Sequence, residues 1–230
     1  MIKTSSLRRC SLAAGAMAVA AVGLTAGAHA AVITPVSLTT DPTIENGYSG
    51  PDQIINGSGL SATPTEANID SVLHTTNGYG GASFDTGNKG VGNVNDVDLF
   101  VTFDLTSDGD PNFNLTNLYI WNGSQPGNFN KGLQNFNLST SSDGTTFNSA
   151  GSFTLQQATG NPTGVQTFSL SGLTAQNVQF VRLEVVDTYG NADASIGEVR
   201  FSGDAVPEPS TYITLLGGLG ALLFFRRRSA

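Results

Sequence analysis

Cysteine is nearly absent: Cys10 is the only one in 230 residues. A chain with one thiol forms no internal disulfide, and no Cys–His nucleophile pair can be built after residue 10. Histidine is almost as scarce. Beyond Ala30 only His74 remains, which excludes multi-histidine metal sites and leaves one candidate base for a Ser-His-Asp triad. His74 sits in a polar run with no Gly-x-Ser-x-Gly elbow, a setting that predicts a solvent-facing side chain. Basic residues are few and lie mostly at the ends. Between residues 31 and 205, four of them (Lys89, Lys131, Arg182, Arg200) stand against 17 acidic residues, leaving −13. That balance disfavours nucleic acid and anionic headgroups as partners, and it favours divalent cations and neutral polymers. Acidic residues are plentiful but scattered on turns, and no pair stands out for glycoside hydrolysis.

What is present begins at the two ends. Lys3, Arg8 and Arg9 precede an apolar, alanine-rich stretch from Ser11 to Gly27, and Ala28-His29-Ala30 is a small-x-small cleavage site. This pattern predicts a signal peptide over 1–30, export by the general secretory route, and a body starting at Ala31. Cys10 would leave with the signal. The far end reads Val206-Pro207-Glu208-Pro209-Ser210, an uncharged run over 211–225, then Arg226-Arg227-Arg228. Two prolines hold the backbone extended and remove two N–H donors, keeping the segment open to another protein. The apolar run, as a helix rising about 1.5 Å per residue, falls somewhat short of a ~30 Å hydrocarbon core. Snorkelling arginines or local thinning would cover the difference. By the positive-inside rule Arg226, Arg227 and Arg228 stop in the cytoplasm and the body lies outside. A helix packed on the body or a plain membrane anchor shares the apolar run, but a packed helix does not account for three terminal arginines.

These three parts in this order resemble the PEP-CTERM sorting signal of Gram-negative bacteria that make exopolysaccharide. The resemblance implies that a membrane transpeptidase, an exosortase, recognises Val206 to Ser210. Such a chain is anchored in the inner membrane before sorting and ends at the cell surface or in the extracellular matrix. It would be that enzyme's substrate.

Residues 31–205 suit one domain with its own core. Helical apolar periodicity is missing there. Short alternating runs bounded by turn residues predict an antiparallel β-sandwich. The expected strands are 32–38, 97–105, 115–121, 136–140, 145–147, 152–155, 165–170, 178–186 and 197–201. The arms 136–140 and 145–147 flank an Asp143-Gly144 turn. Leu99, Val101, Phe103 and Leu105 should share one face. So should Val181, Leu183 and Val185, with Arg182 and Glu184 opposite. Residues 41–95 read mostly as loop, a length that often carries binding.

Three segments resemble the discoidin (coagulation factor V/VIII type C) domains and family 32 carbohydrate-binding modules. They are Gln53 to Leu60, then Phe136 to Phe147 with its Ser-x-Asp-Gly turn, then Val178 to Val185 followed by Ile196 to Phe201. The resemblance implies a galactose-binding-like jelly roll. It also implies a calcium ion tying the Asn-Gly loop to the late glutamate, at Asn56, Ser61 and Glu198. Asn56 stands where an aspartate is usual, which leaves Glu198 as the one anion of the three. The plain alternative is an Asn56-Gly57 turn with Glu198 paired to Arg182 or Arg200. Sugar recognition needs aromatic platforms near polar groups. Tyr48, Tyr79, Phe84, Phe129 and Tyr189 qualify, Tyr79 and Phe129 foremost, whereas Trp121 closes an apolar strand and reads as core. The strip Asp104 to Asp110 lacks a glutamate at EF-hand spacing and reads as a solvated turn.

The sequence thus predicts an exported all-β protein, non-catalytic, associating with extracellular polysaccharide and processed by an exosortase. A matrix protein with no specific glycan and a weak glycosidase are the alternatives.

Overall fold

The computed structural model describes residues 30–41, 50–76, 84–85, 99–107, 112–191 and 193–206, with the side chains of 41, 84 and 85 left aside. The expected signal peptide, Pro207 to Ser210, the apolar run 211–225 and Arg226 to Arg228 lie outside these residues. So do Tyr48, Tyr79 and the strip 108–110.

Among the described residues ten strands form: β1 (Ala31–Ile33), β2 (Ser37–Asp41), β3 (Phe84–Asp85), β4 (Leu99–Asp104), β5 (Phe113–Asn122), β6 (Leu133–Ser141), β7 (Asn148–Thr154), β8 (Val165–Ser169), β9 (Phe180–Thr188) and β10 (Ser195–Ala205). They make two antiparallel five-stranded sheets. The first runs β1-β10-β5-β8, with β3 also on β10, and the second β2-β4-β9-β6-β7. This is the expected all-β sandwich. Among the described residues no helix is long and apolar enough to cross a membrane.

Alternation decides which faces meet. Leu99, Val101 and Phe103 on β4, and Val181, Leu183 and Val185 on β9, are buried, while Arg182 and Glu184 point away. Leu118, Ile120, Val199 and Phe201 supply the facing side from β5 and β10. Phe103 and Phe201 meet edge to face at 5.7 Å between the sheets. Phe136, Phe153 and Phe168 form a second aromatic contact group. Each fully buried ring removes apolar area worth about 1.5–3 kcal/mol.

Two expectations are corrected in detail. The expected strand 32–38 is two strands, one in each sheet, because β1 pairs with β10 and β2 with β4. The break falls at Pro35, which has no N–H for a ladder. The second arm of the hairpin starts at Asn148, not at Thr145. The N–H groups of Thr145 and Thr146 are spent on Asp143 Oδ1, at 2.8 and 2.9 Å, so they cannot join the ladder. Gly144 sits at φ +71°, the left-handed position this turn requires.

Within the stretch expected to be mostly loop, Pro51–Ile54 and Ile69–Ser71 are single 3₁₀ turns. From the first, Ile54 and Ile55 reach into the main core; the second belongs to a cover, 57–76, laid on the outer face of the first sheet. Ile69 and Val72 pack on Tyr119 and Trp121 there, and Trp121 Nε1 donates to the Val72 carbonyl at 2.7 Å. Trp121 is core, as its strand position indicated, but in this smaller outer cluster.

Candidate functional site

Of the residues expected at the cation site, Glu198 lies beneath this cover, while Asn56 at the cover's edge and Ser61 within it are exposed. Strand β10 alternates Ile196, Val199 and Phe201 into the main core, while Glu198 and Arg200 face the cover, opposite Trp121 and Tyr119 on β5. A bulge between Ile196 and Glu198 shifts the register there. Glu198 and Arg200 are buried and ion-paired, Glu198 Oε1 with Arg200 Nη1. The Gly57 N–H also donates to Oε1, at 3.3 Å, and Arg200 Nη1 donates to the Val199 carbonyl at 2.9 Å. Among the described residues Glu198 Oε2 and Arg200 Nε are buried without partners. Burial raises the Glu198 carboxyl to about 7, with Arg200 and the Gly57 N–H offsetting only part of that effect.

Asn56 and Ser61 are exposed. Asn56 Oδ1 accepts from the Ser58 N–H at 2.7 Å, an Asx turn, and Ser61 Oγ accepts from the Leu73 N–H at 3.0 Å. The loop therefore reaches Glu198 through the Gly57 backbone, and the cation in contact with the carboxylate is the guanidinium of Arg200. A cavity of about 500 Å³ opens beside it, walled by Asn56, Gly57, Leu60, Thr63 and Pro64, with Arg200 at its base.

His74 overturns an expectation. It is fully buried, not solvent-facing. Its backbone bridges Leu60 and Thr163, its Nε2 donates to the Ser58 carbonyl at 3.0 Å, and its buried Nδ1 has no partner among the described residues. Burial lowers its pKa to about 4, against the weaker opposing effect of the Ser58 carbonyl, so the ring is neutral. A Cβ at Gly197 would lie 2.7 Å from Nδ1, so only glycine on β10 lets the ring approach. The polar sequence around His74 gave no sign of this burial, because the groups that enclose it, Gly197 on β10 and Thr163 among them, are distant in sequence.

Phe129 is half-buried in a 3₁₀ turn, Phe129–Lys131, between β5 and β6. Lys131 Nζ pairs with Asp193 Oδ2 at 3.0 Å beside it. Phe129 does not line the cavity at Arg200. Tyr189 commits its hydroxyl to the Leu155 carbonyl. Val206 closes the described body, its N–H donating to the Asn112 carbonyl at 2.7 Å. Among the described residues no three His, Cys, Asp or Glu side chains gather as a metal site would need.

The body is an antiparallel two-sheet sandwich with a covered outer face. Residues 205–229 match the PEP-CTERM protein-sorting motif, which implies a secreted chain processed by an exosortase at the cell surface. No curated protein matches the chain. Among solved structures it is similar to a truncated AlyQ with CBM32 and alginate lyase domains, at 18% identity and TM-score 0.46, over 79% of this chain and 36% of that one. It is also similar to the F5/8 type C domain of a Bacteroides fragilis protein, at 14% identity and TM-score 0.44, over 74% and 92%. A third is CBM32-3 from a family 31 glycoside hydrolase of Clostridium perfringens, at 15% identity and TM-score 0.46, over 75% and 91%. The chain spans about a third of the truncated AlyQ, and what these proteins bind or cleave is theirs.

Proposed function

We propose that this chain is exported, is handed to an exosortase at Val206 to Ser210, and associates with extracellular polysaccharide without catalysis. The match of residues 205–229 to the sorting motif carries the first half. It sits on a chain with a signal-peptide pattern, and Arg226 to Arg228 then hold the tail in the inner membrane until cleavage. The second half is supported by a strongly acidic body that favours uncharged polymers, and by loop aromatics, Tyr79 and Phe129, that offer ring platforms. A divalent cation such as calcium joins this reading on one condition: it must displace Arg200 from Glu198.

The test compares cells with and without the exosortase. Expected is a mature protein that has lost both the first 30 residues and the tail, found in the surface or matrix fraction only when the enzyme is present. Sedimentation of that protein with neutral polysaccharide, weakened by Tyr79→Ala or Phe129→Ala, completes the reading. A protein of full mass in the cytosol overturns it, and reducing-sugar release by the purified protein moves it to the hydrolases.

A further inference from the structure

The outer face of the second sheet holds a second hollow, of about 300 Å³, far in sequence from the loop aromatics. Its walls follow from register. Ser37, Asp104 and Phe180 stand opposite one another across β2, β4 and β9, and Thr39, Thr102 and Arg182 form the next outward row. Their neighbours Phe103 and Val181 are buried in the core, so these two rows must face out. Two residues of strand separate the rows, roughly 7 Å, and three strands span roughly 10 Å. That is about the footprint of one sugar ring.

Arg182 is held ready. Its Cζ lies 3.7 Å from the centre of the Phe147 ring and 5.5 Å from that of Phe100, and its Nε donates to Thr102 Oγ1 at 3.1 Å. Nη1 and Nη2 have no protein partner among the described residues. Lys131 and Arg200, by contrast, are buried in ion pairs. Asp104 accepts the Thr106 N–H on Oδ1 at 3.1 Å, which leaves Oδ2 without a protein partner among the described residues. Arg182 and Asp104 line the same hollow without pairing to each other. The ring of Phe180 forms part of the wall, held from behind by the turn, where a Cβ on Gly144 would lie 3.1 Å from it.

We propose that this hollow binds one residue of a neutral polysaccharide, with the Arg182 fork donating to its hydroxyl oxygens and Asp104 Oδ2 accepting a hydroxyl hydrogen. A planar fork offers two parallel donors that match neighbouring hydroxyls, a carboxylate accepts what the fork cannot, and an aromatic edge covers C–H surface. Donor and acceptor together select a group that is both, as a sugar hydroxyl is. A purely anionic ligand would meet Asp104 in the hollow and an acidic body around it. The inference rests on the polysaccharide reading above and adds a site to it.

The full chain, purified from producing cells, is titrated against galactomannan, β-glucan, dextran and starch, and against alginate as a polyuronate. Arg182→Met keeps an unbranched apolar stem and removes the fork that lies over Phe147, while Asp104→Asn keeps the acceptor for Thr106. Each should weaken binding to a neutral polymer at least about tenfold, the scale of one charge-assisted hydrogen bond. Neither should change the loss seen with Phe129→Ala, and Asp104→Asn should unfold with the wild type. Wild-type affinity in both variants removes this site and leaves the polysaccharide reading intact. Loss of alginate binding alone replaces the sugar hydroxyls with a carboxylate and overturns the ligand class. No binding of any polymer by the wild type takes down both readings.

Discussion

At the scale of single residues, two buried titratable groups, Glu198 beneath the cover and His74 within it, pull stability in opposite directions. The folded pKa of His74 is lowered to about 4, so between there and 6.5 the unfolded chain binds more protons and stability rises with pH. The folded pKa of Glu198 is raised to about 7, so above 4.5 the folded chain binds more protons and stability falls as pH rises. Each effect is worth at most about 3 kcal/mol. They overlap and largely cancel between 4.5 and 6.5. Denaturant unfolding of the wild type should therefore be nearly flat there, while His74→Gln, which keeps a donor for Ser58, should lose stability with rising pH. An unchanged profile in that variant would refute the assignment. Arg200→Met removes the charge that holds the Glu198 carboxyl down, so its folded pKa should climb beyond about 7. The variant should lose stability steadily as pH rises past neutrality, toward about 3–5 kcal/mol where the carboxylate must ionise unpaired, and much less in acid. Adding Glu198→Gln should return most of that loss.

At the scale of elements, one indole ties the cover 57–76 to the sheet, beside the Gly57–Glu198 hydrogen bond and the His74–Thr163 bridge. Trp121 spans β5 and the Ile69–Ser71 turn, and its Nε1 satisfies the Val72 carbonyl inside the outer cluster. Trp121→Phe leaves that carbonyl without its donor and should cost about 1–3 kcal/mol. Amide exchange should rise first at Val72 and His74, and only later in β4 and β9. Uniform loosening of both sheets would show that the cover and the sandwich unfold as one unit. The hairpin was legible because Asp143-Gly144 is a turn with a mechanism, a carboxylate capping two N–H groups beside a left-handed glycine. The end of the turn was not legible. Whether Thr145 pairs across the ladder or back onto Asp143 depends on hydrogen bonds that no alternation pattern records.

For the whole molecule, the charge balance makes a prediction of its own. A body at −13 repels itself, and added salt should raise the thermal unfolding midpoint by screening. Calcium compared with sodium at equal ionic strength then separates screening from a specific site. A further rise reversed by a chelator, and abolished by Glu198→Gln, assigns the cation to Glu198. No further rise leaves Arg200 as that carboxylate's counter-ion.

Several features needed no tertiary structure. The sorting motif is a linear signal, so its residues and order suffice to match it. The β class and the inward faces of β4 and β9 follow from a period of two, which is a property of the backbone. The −13 balance is composition alone. Other features arose only on folding. Glu198 and Arg200 became a buried pair, His74 a neutral core ring, and Asp104 with Arg182 two walls of one hollow. Each depends on residues tens of positions apart meeting through strand register, and on burial imposed by a covering segment. The free energy of a charge is set by what surrounds it in space, and in this chain those surroundings come from strands and loops distant in sequence.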